Sequence, residues 1–212
     1  MKEAQDSSAW LIRQLLVCAA LLVVAGCATK GPLGGEDPLP AKVVRLKGAA
    51  RWSSDDGKTW REIKRGGKLP PGALVQTAAK SHIDVRLGES AAPTPRAGLD
   101  KGMLYKPNPY SDNMMRVWEN SLLRLDRLTR RLTRGGTHIV EEVQFDLRAG
   151  HLFVRIKNMA DDSQYEFKFP KGVVRIGEGT YDLSAEGLVK VLVGKASIAI
   201  SGSTETHEML GG

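Results

Sequence analysis

Beyond residue 42 the apolar side chains of this 212-residue chain recur at every second position, the period of a β-strand and not of an amphipathic helix. Val43-Val44-Arg45-Leu46, Ile83-Asp84-Val85-Arg86-Leu87, Val143-Gln144-Phe145-Asp146-Leu147 and Val189-Lys190-Val191-Leu192-Val193 alternate apolar with polar residues or run apolar over strand lengths. Glycine or a short polar cluster interrupts such runs about every 8–12 residues, the spacing of an all-β sandwich, barrel or short solenoid. Roughly a dozen short strands are predicted on that rule. One segment is ambiguous: Leu122, Leu125, Leu128 and Leu132 also fit a helical stripe capped by Ser121, and its strand-rich neighbours favour the extended reading. At 42% apolar and 26% charged residues the composition excludes a disordered polymer, a collagen-like fibre and a polytopic membrane protein. A chain this long buries roughly 70% of its extended surface and needs neither disulfide nor metal to hold a core. The formal charge of +7 favours anionic surfaces without by itself arguing for nucleic acid.

The N-terminus reads as an export signal. Lys2 and Arg13 flank a twelve-residue apolar run from Leu15 to Gly26, shorter than the ~20 residues that span a bilayer as a helix. An uncleaved anchor and a buried apolar segment are the alternatives. Val24-Ala25-Gly26-Cys27 resembles the lipobox of bacterial lipoproteins, which implies cleavage before Cys27 and acylation of its sulfur. The mature chain then has no second cysteine for a disulfide, and its acyl chains tether it at ~0.8 kcal/mol per buried CH₂. Ala28 stands where an aspartate would favour retention at the inner membrane, so the resemblance implies an outer-membrane lipoprotein facing the periplasm. The expected organisation is a signal peptide over 1–26, a flexible tether over 27–41, a β domain over 42–202 with a proline-rich insertion at 89–116, and a tail over 203–212.

Ser53-Ser54-Asp55-Asp56-Gly57-Lys58-Thr59-Trp60 resembles the Asp-box hairpin of several β-proteins. Its meaning is structural: Asp55 accepts backbone donors in the turn, Gly57 takes a positive φ, and Trp60 can pack with Trp52. One such box cannot supply the blades of a sialidase propeller.

Over Val43 to Ser201 the order of short motifs resembles a FecR-type domain. Val43-Val44-Arg45-Leu46-Lys47-Gly48 precedes Trp52, then come Gly67-Lys68-Leu69-Pro70-Pro71-Gly72-Ala73-Leu74-Val75, Ser81-His82-Ile83-Asp84-Val85 and Glu119-Asn120-Ser121-Leu122-Leu123. Leu147-Arg148-Ala149-Gly150, Phe169-Pro170-Lys171-Gly172, Val173-Val174-Arg175-Ile176-Gly177-Glu178-Gly179-Thr180-Tyr181 and Gly187-Leu188-Val189 follow. Gly177-Glu178 is a detour from the family pattern. The resemblance implies a periplasmic interaction module of many short strands, a sandwich or short β-solenoid. Met1 to Arg13 is too short for that family's anti-sigma segment, so sigma-factor regulation is not implied.

Catalysis is not expected. His82, His138, His151 and His207 are scattered, and no metal-ligand spacing, nucleophile elbow or phosphate loop appears, so neither a metal nor another cofactor is expected. Two sets of residues are candidates for binding. Arg124, Arg127, Arg130, Arg131 and Arg134 stand against Asp126 alone, which predicts either a surface for an anionic envelope polymer, lipid headgroup or acidic partner, or a merely solvated face. The insertion carries Pro93, Pro95, Pro107 and Pro109, which argue against a central strand. Its Met103, Leu104, Tyr105 and Tyr110 either fold onto the domain or present a partner-binding patch. The expected function is therefore a membrane-anchored protein-interaction or scaffold module with an envelope partner and no nucleic acid. A carbohydrate- or peptidoglycan-binding lipoprotein is the alternative, followed by a hydrolase on a β scaffold.

Overall fold

The computed structural model describes residues 35–88, 113–132, 139–157, 159–203 and 205–212. Among these the chain is all β, without a helix, as the period of two predicts. In chain order the strands are β1 (Asp37–Pro38), β2 (Ala41–Lys47), β3 (Ala50–Ser53), β4 (Arg61–Glu62), β5 (Lys68–Leu69), β6 (Leu74–Thr77), β7 (His82–Leu87) and β8 (Asn113–Val117). They continue with β9 (Leu122–Leu132), β10 (Ile139–Ala149), β11 (His151–Ile156), β12 (Gln164–Phe169), β13 (Gly172–Ser184), β14 (Val189–Ile200) and β15 (Thr206–Gly211).

Hydrogen bonding links twelve of these in the order β4-β3-β6-β9-β10-β12-β13-β11-β8-β7-β2-β5. The β10–β12 pair is parallel and its neighbours in the sheet are antiparallel. β13 is long enough to pair with β12 through Gly172–Ile176 and with β11 through Gly179–Ser184. The sheet therefore folds over along this strand, as a curled half-barrel. Its two rows, β3-β6-β9-β10-β12 and β2-β7-β8-β11, face each other across one apolar core. Val75, Leu123, Phe145 and Phe167 of the first row and Ile83, Met115 and Val154 of the second lie in that core, each 0–1% exposed. The Asn113 amide of β8 donates to the Tyr165 hydroxyl of β12 across the interior at 3.0 Å.

Four of the connections that carry the chain from row to row form two pairs built alike. At Gly48 (φ 74°) the next amide, Ala49 N–H, donates to Ser81 Oγ at 3.0 Å, and that hydroxyl donates to the Ala79 carbonyl. At Gly150 (φ 84°) the amide of His151 donates to Ser121 Oγ at 3.0 Å, and that hydroxyl donates to the Glu119 carbonyl. Each serine follows a residue held at positive φ, Lys80 or Asn120. The glycines are required because a Cβ on either would stand 2.2 Å from the serine Oγ.

Leu122–Leu132 is extended, and its helix-like leucine spacing has a physical source. Arg124 pairs with Asp146 and Arg127 with Gln144, so Leu125 and Asp126 together oppose Phe145 in a β-bulge. The bulge resets the phase, and Leu123, Leu125 and Leu128 all reach the core. At the Gly177-Glu178 detour β13 slips register against β14 between Ile176 and Gly179. The buried Tyr181 hydroxyl donates to the Lys195 carbonyl at 2.7 Å there.

Three boundaries read from composition shift. The last residues of the expected tether belong to the domain: Asp37–Pro38 pair with Thr129–Arg130, and Leu39 is 1% exposed. Two flanking prolines give this segment a linker's composition, but the leucine between them is what the core takes up. Asn113–Arg116, expected within the insertion, begins β8, a central strand between β7 and β11; the four prolines lie earlier, outside the described residues. The expected tail forms β15, paired with β14 from Thr206↔Ala199 to Gly211↔Gly194.

Candidate functional site

The Asp-box residues build a turn. Asp55 Oδ1 accepts from the Ser53 hydroxyl at 2.6 Å and from the Thr59 amide at 2.8 Å, while Oδ2 accepts from the Thr59 hydroxyl. These bonds, the Ser53 one foremost, hold its carboxyl far below the usual carboxylate range. Gly57 takes φ 89°, and Trp60 backs the Arg51 guanidinium, which lies 4.4 Å from the ring centroid and donates to Gln76.

Among the described residues, Arg124 and Arg127 of the arginine run are set against acids. Arg124 pairs with Asp56 and Asp126, and Arg127 pairs with Glu36 at 3.2 Å and Glu142 at 2.9 Å. Arg130 lies close enough to Glu141 to favour its charged form, and Arg131 is exposed at the strand's end. Counting five arginines against one acid along the chain missed the acids that β10, the Asp-box turn and residue 36 set across from them. Arg134, Met103, Leu104, Tyr105, Tyr110 and Cys27 lie outside the described residues.

Cations gather instead on the outer face of the second row, brought together by register. One line across β2, β7, β8 and β11 reads Arg45, Asp84, Arg116, Phe153; the next reads Lys42, Arg86, Met114, Arg155. A third line carries His82, Trp118 and His151, whose rings follow one another at centroid separations of 5.7 and 6.4 Å. Asp84, 8% exposed, takes a forked pair from Arg116 at 2.6 and 2.9 Å, and Arg45 approaches it at 3.8 Å. The Arg116 guanidinium in turn lies over Trp118 at 5.1 Å. Burial, then the nearby Arg116 charge, push the His82 imidazole below its usual range; His151 is in close contact with Asp182. The first line, with Met114 and Arg155 of the second and Arg65 beside them, borders a hollow of about 740 Å³. No local run announces this face, since its cations are spread from position 42 to 155.

A second surface projects at the far side of β13. Of the seven large apolar side chains that stay exposed among the described residues, Leu188, Leu192, Val193, Ile200 and Leu210 lie on or beside β14 and β15. β15 pairs with β14 on one side and has no further strand partner among the described residues.

Inside the half-barrel a polar cluster joins β8, β10 and β12. The fully buried Tyr165 hydroxyl donates to Glu141, and the Lys157 amide donates to Asn113 Oδ1 at 3.0 Å. Burial raises the Glu141 carboxyl above its ordinary value, against the opposing pull of Tyr165. Burial first, then the Glu141 charge, raise the Tyr165 hydroxyl, which stays protonated and donating. A carboxyl raised on folding binds its proton more tightly in the native state, so stability falls as pH rises from the unfolded to the folded value and stays lower above it. Glu141→Gln is therefore expected to melt higher than the wild type near neutral pH and to lose that advantage below pH ~4. Thermal scans across pH check this, and a gap that is constant with pH would refute it.

Comparison with family models, curated proteins and solved structures finds no match to this chain.

Proposed function

We propose that this chain is a lipid-anchored cell-envelope protein that presents a FecR-like β domain as a protein-interaction module. The observation that supports it best is the β14–β15 hairpin. Among the described residues no strand pairs with its outer edge, and Thr206-His207-Glu208-Met209-Leu210-Gly211 has neither the proline nor the lysine that usually protects such an edge. Exposed apolar side chains such as Leu192 and Leu210 beside an open edge suit an extended segment of a partner protein added as one more strand. Cys27 at the end of the apolar run, and the order of FecR-like motifs, supply the anchor and the module type.

The test is made in cells. Fatty-acid label should enter the wild type and not Cys27→Ser. A photocrosslinker at Thr206 should trap a discrete protein, and Leu192→Asp with Leu210→Asp should abolish that product. Label retained without Cys27 overturns the anchor, and a product indifferent to the aspartates overturns the docking edge. Co-sedimentation with peptidoglycan in place of a protein product would favour the carbohydrate-binding alternative.

A further inference from the structure

We propose that the hollow on the outer face of β2, β7, β8 and β11 is a binding site for a phosphate group carried on a larger organic body. Among the described residues its lining carries the guanidinium groups of Arg45, Arg65, Arg116 and Arg155 and the carboxylate of Asp84. A surface that merely keeps a protein soluble mixes its charges; here the excess of positive charge is concentrated in one concavity. All four cations are arginine, whose planar fork matches phosphate oxygens two at a time and gives up its hydration more readily than an ammonium group.

Part of the site is already set in place. Asp84 is 8% exposed and fixes the Arg116 guanidinium by two bonds, and Trp118 backs the same guanidinium at 5.1 Å. Little side-chain freedom is then lost when an anion binds there. Arg45 is 68% exposed in its side chain and Arg65 is exposed, so both stand at the rim where they can close over a ligand. The apolar lining of Met114, Phe153 and Leu46 has no use for a bare ion, and about 740 Å³ exceeds what one needs. A phosphomonoester matches both parts: its dianion meets the arginines and its body covers the apolar floor. A carboxylate carries half the charge of that dianion and offers the rim arginines fewer oxygens.

Such a phosphate has two sources, a lipid headgroup or a soluble phosphosugar. The full chain in detergent is titrated with dihexanoyl phosphatidate, with glucose 6-phosphate and with gluconate, following tryptophan fluorescence and heat. Saturable binding of at least one phosphate probe is expected, with gluconate weaker by about tenfold. Arg45→Ser with Arg65→Ser should weaken the phosphate probe about tenfold, while Arg131→Ser with Lys195→Ser, removing equal charge elsewhere, should change it less than about twofold. Tighter phosphatidate identifies the lipid source and tighter glucose 6-phosphate the soluble one. Equal weakening in the two double variants, gluconate binding as well as phosphate, or no saturable binding would overturn the proposal. Unchanged melting of Arg45→Ser with Arg65→Ser checks that the fold is intact. The docking edge at β15 takes no part in this readout, so either proposal can fail alone.

Discussion

Replacement of Gly150 by valine is expected to cost at least ~3 kcal/mol and to leave little folded protein. The backbone at this position has φ 84°, which costs an ordinary side chain ~1–3 kcal/mol. A Cβ would also stand 2.5 Å from the Ser121 Cα. That neighbour is backbone and cannot swing aside as the tip of a long side chain could. Moving the β8–β9 connection to make room breaks the bond from the His151 amide to Ser121 Oγ, leaving a half-buried donor unpaired at a further ~1 kcal/mol. Gly72→Ala is the matched control. Gly72 has φ 80°, but a methyl group added there would meet no atom within 4 Å, so only the backbone cost of ~1–2 kcal/mol applies. Denaturant midpoints of the two variants measure the difference, and equal shifts would show that the corner has room to relax.

Phe145→Ala should destabilise the domain by ~3–5 kcal/mol. Phe145 and Phe167 are 0% and 1% exposed and sit directly opposite each other on the parallel pair β10 and β12, with ring centroids 5.1 Å apart. Truncation removes a buried ring and leaves a void beside strands on both sides of the pair. Phe167→Ala should cost a similar amount, and the double variant less than both combined by ~0.5–1.5 kcal/mol, the share due to ring contact. Additive losses would mean that each ring packs on other neighbours and not on its partner.

The all-β class was legible because strand alternation survives any topology, and the Asp-box because its contacts span a few residues. Leu125 and Leu128 show where that legibility stops. Their three-residue spacing belongs to no regular strand, and only the facing Phe145 explains it. Charge was less readable still. Arg124 and Arg127 look uncompensated along the chain because Asp56, Glu142 and Glu36 reach them through pairing and turns. Arg45, Arg116 and Arg155 attract no notice singly, and the strand register alone sets them around one hollow. Leu39 between prolines, and Thr206–Gly211 after a glycine-containing turn, were too short for composition to separate from linker and tail.

The late position of β13 bears on how the chain can fold. Contacts between rows join residues far apart in sequence, the arrangement that slows folding by its loop-closure cost. Until residue 184 is free, β10 with β12 and β8 with β11 have no strand to join them. A chain emerging from its N-terminus thus reaches its cooperative closing step only after most of it has appeared. A truncation ending before β13 should accordingly leave two unjoined apolar sheets prone to associate between molecules.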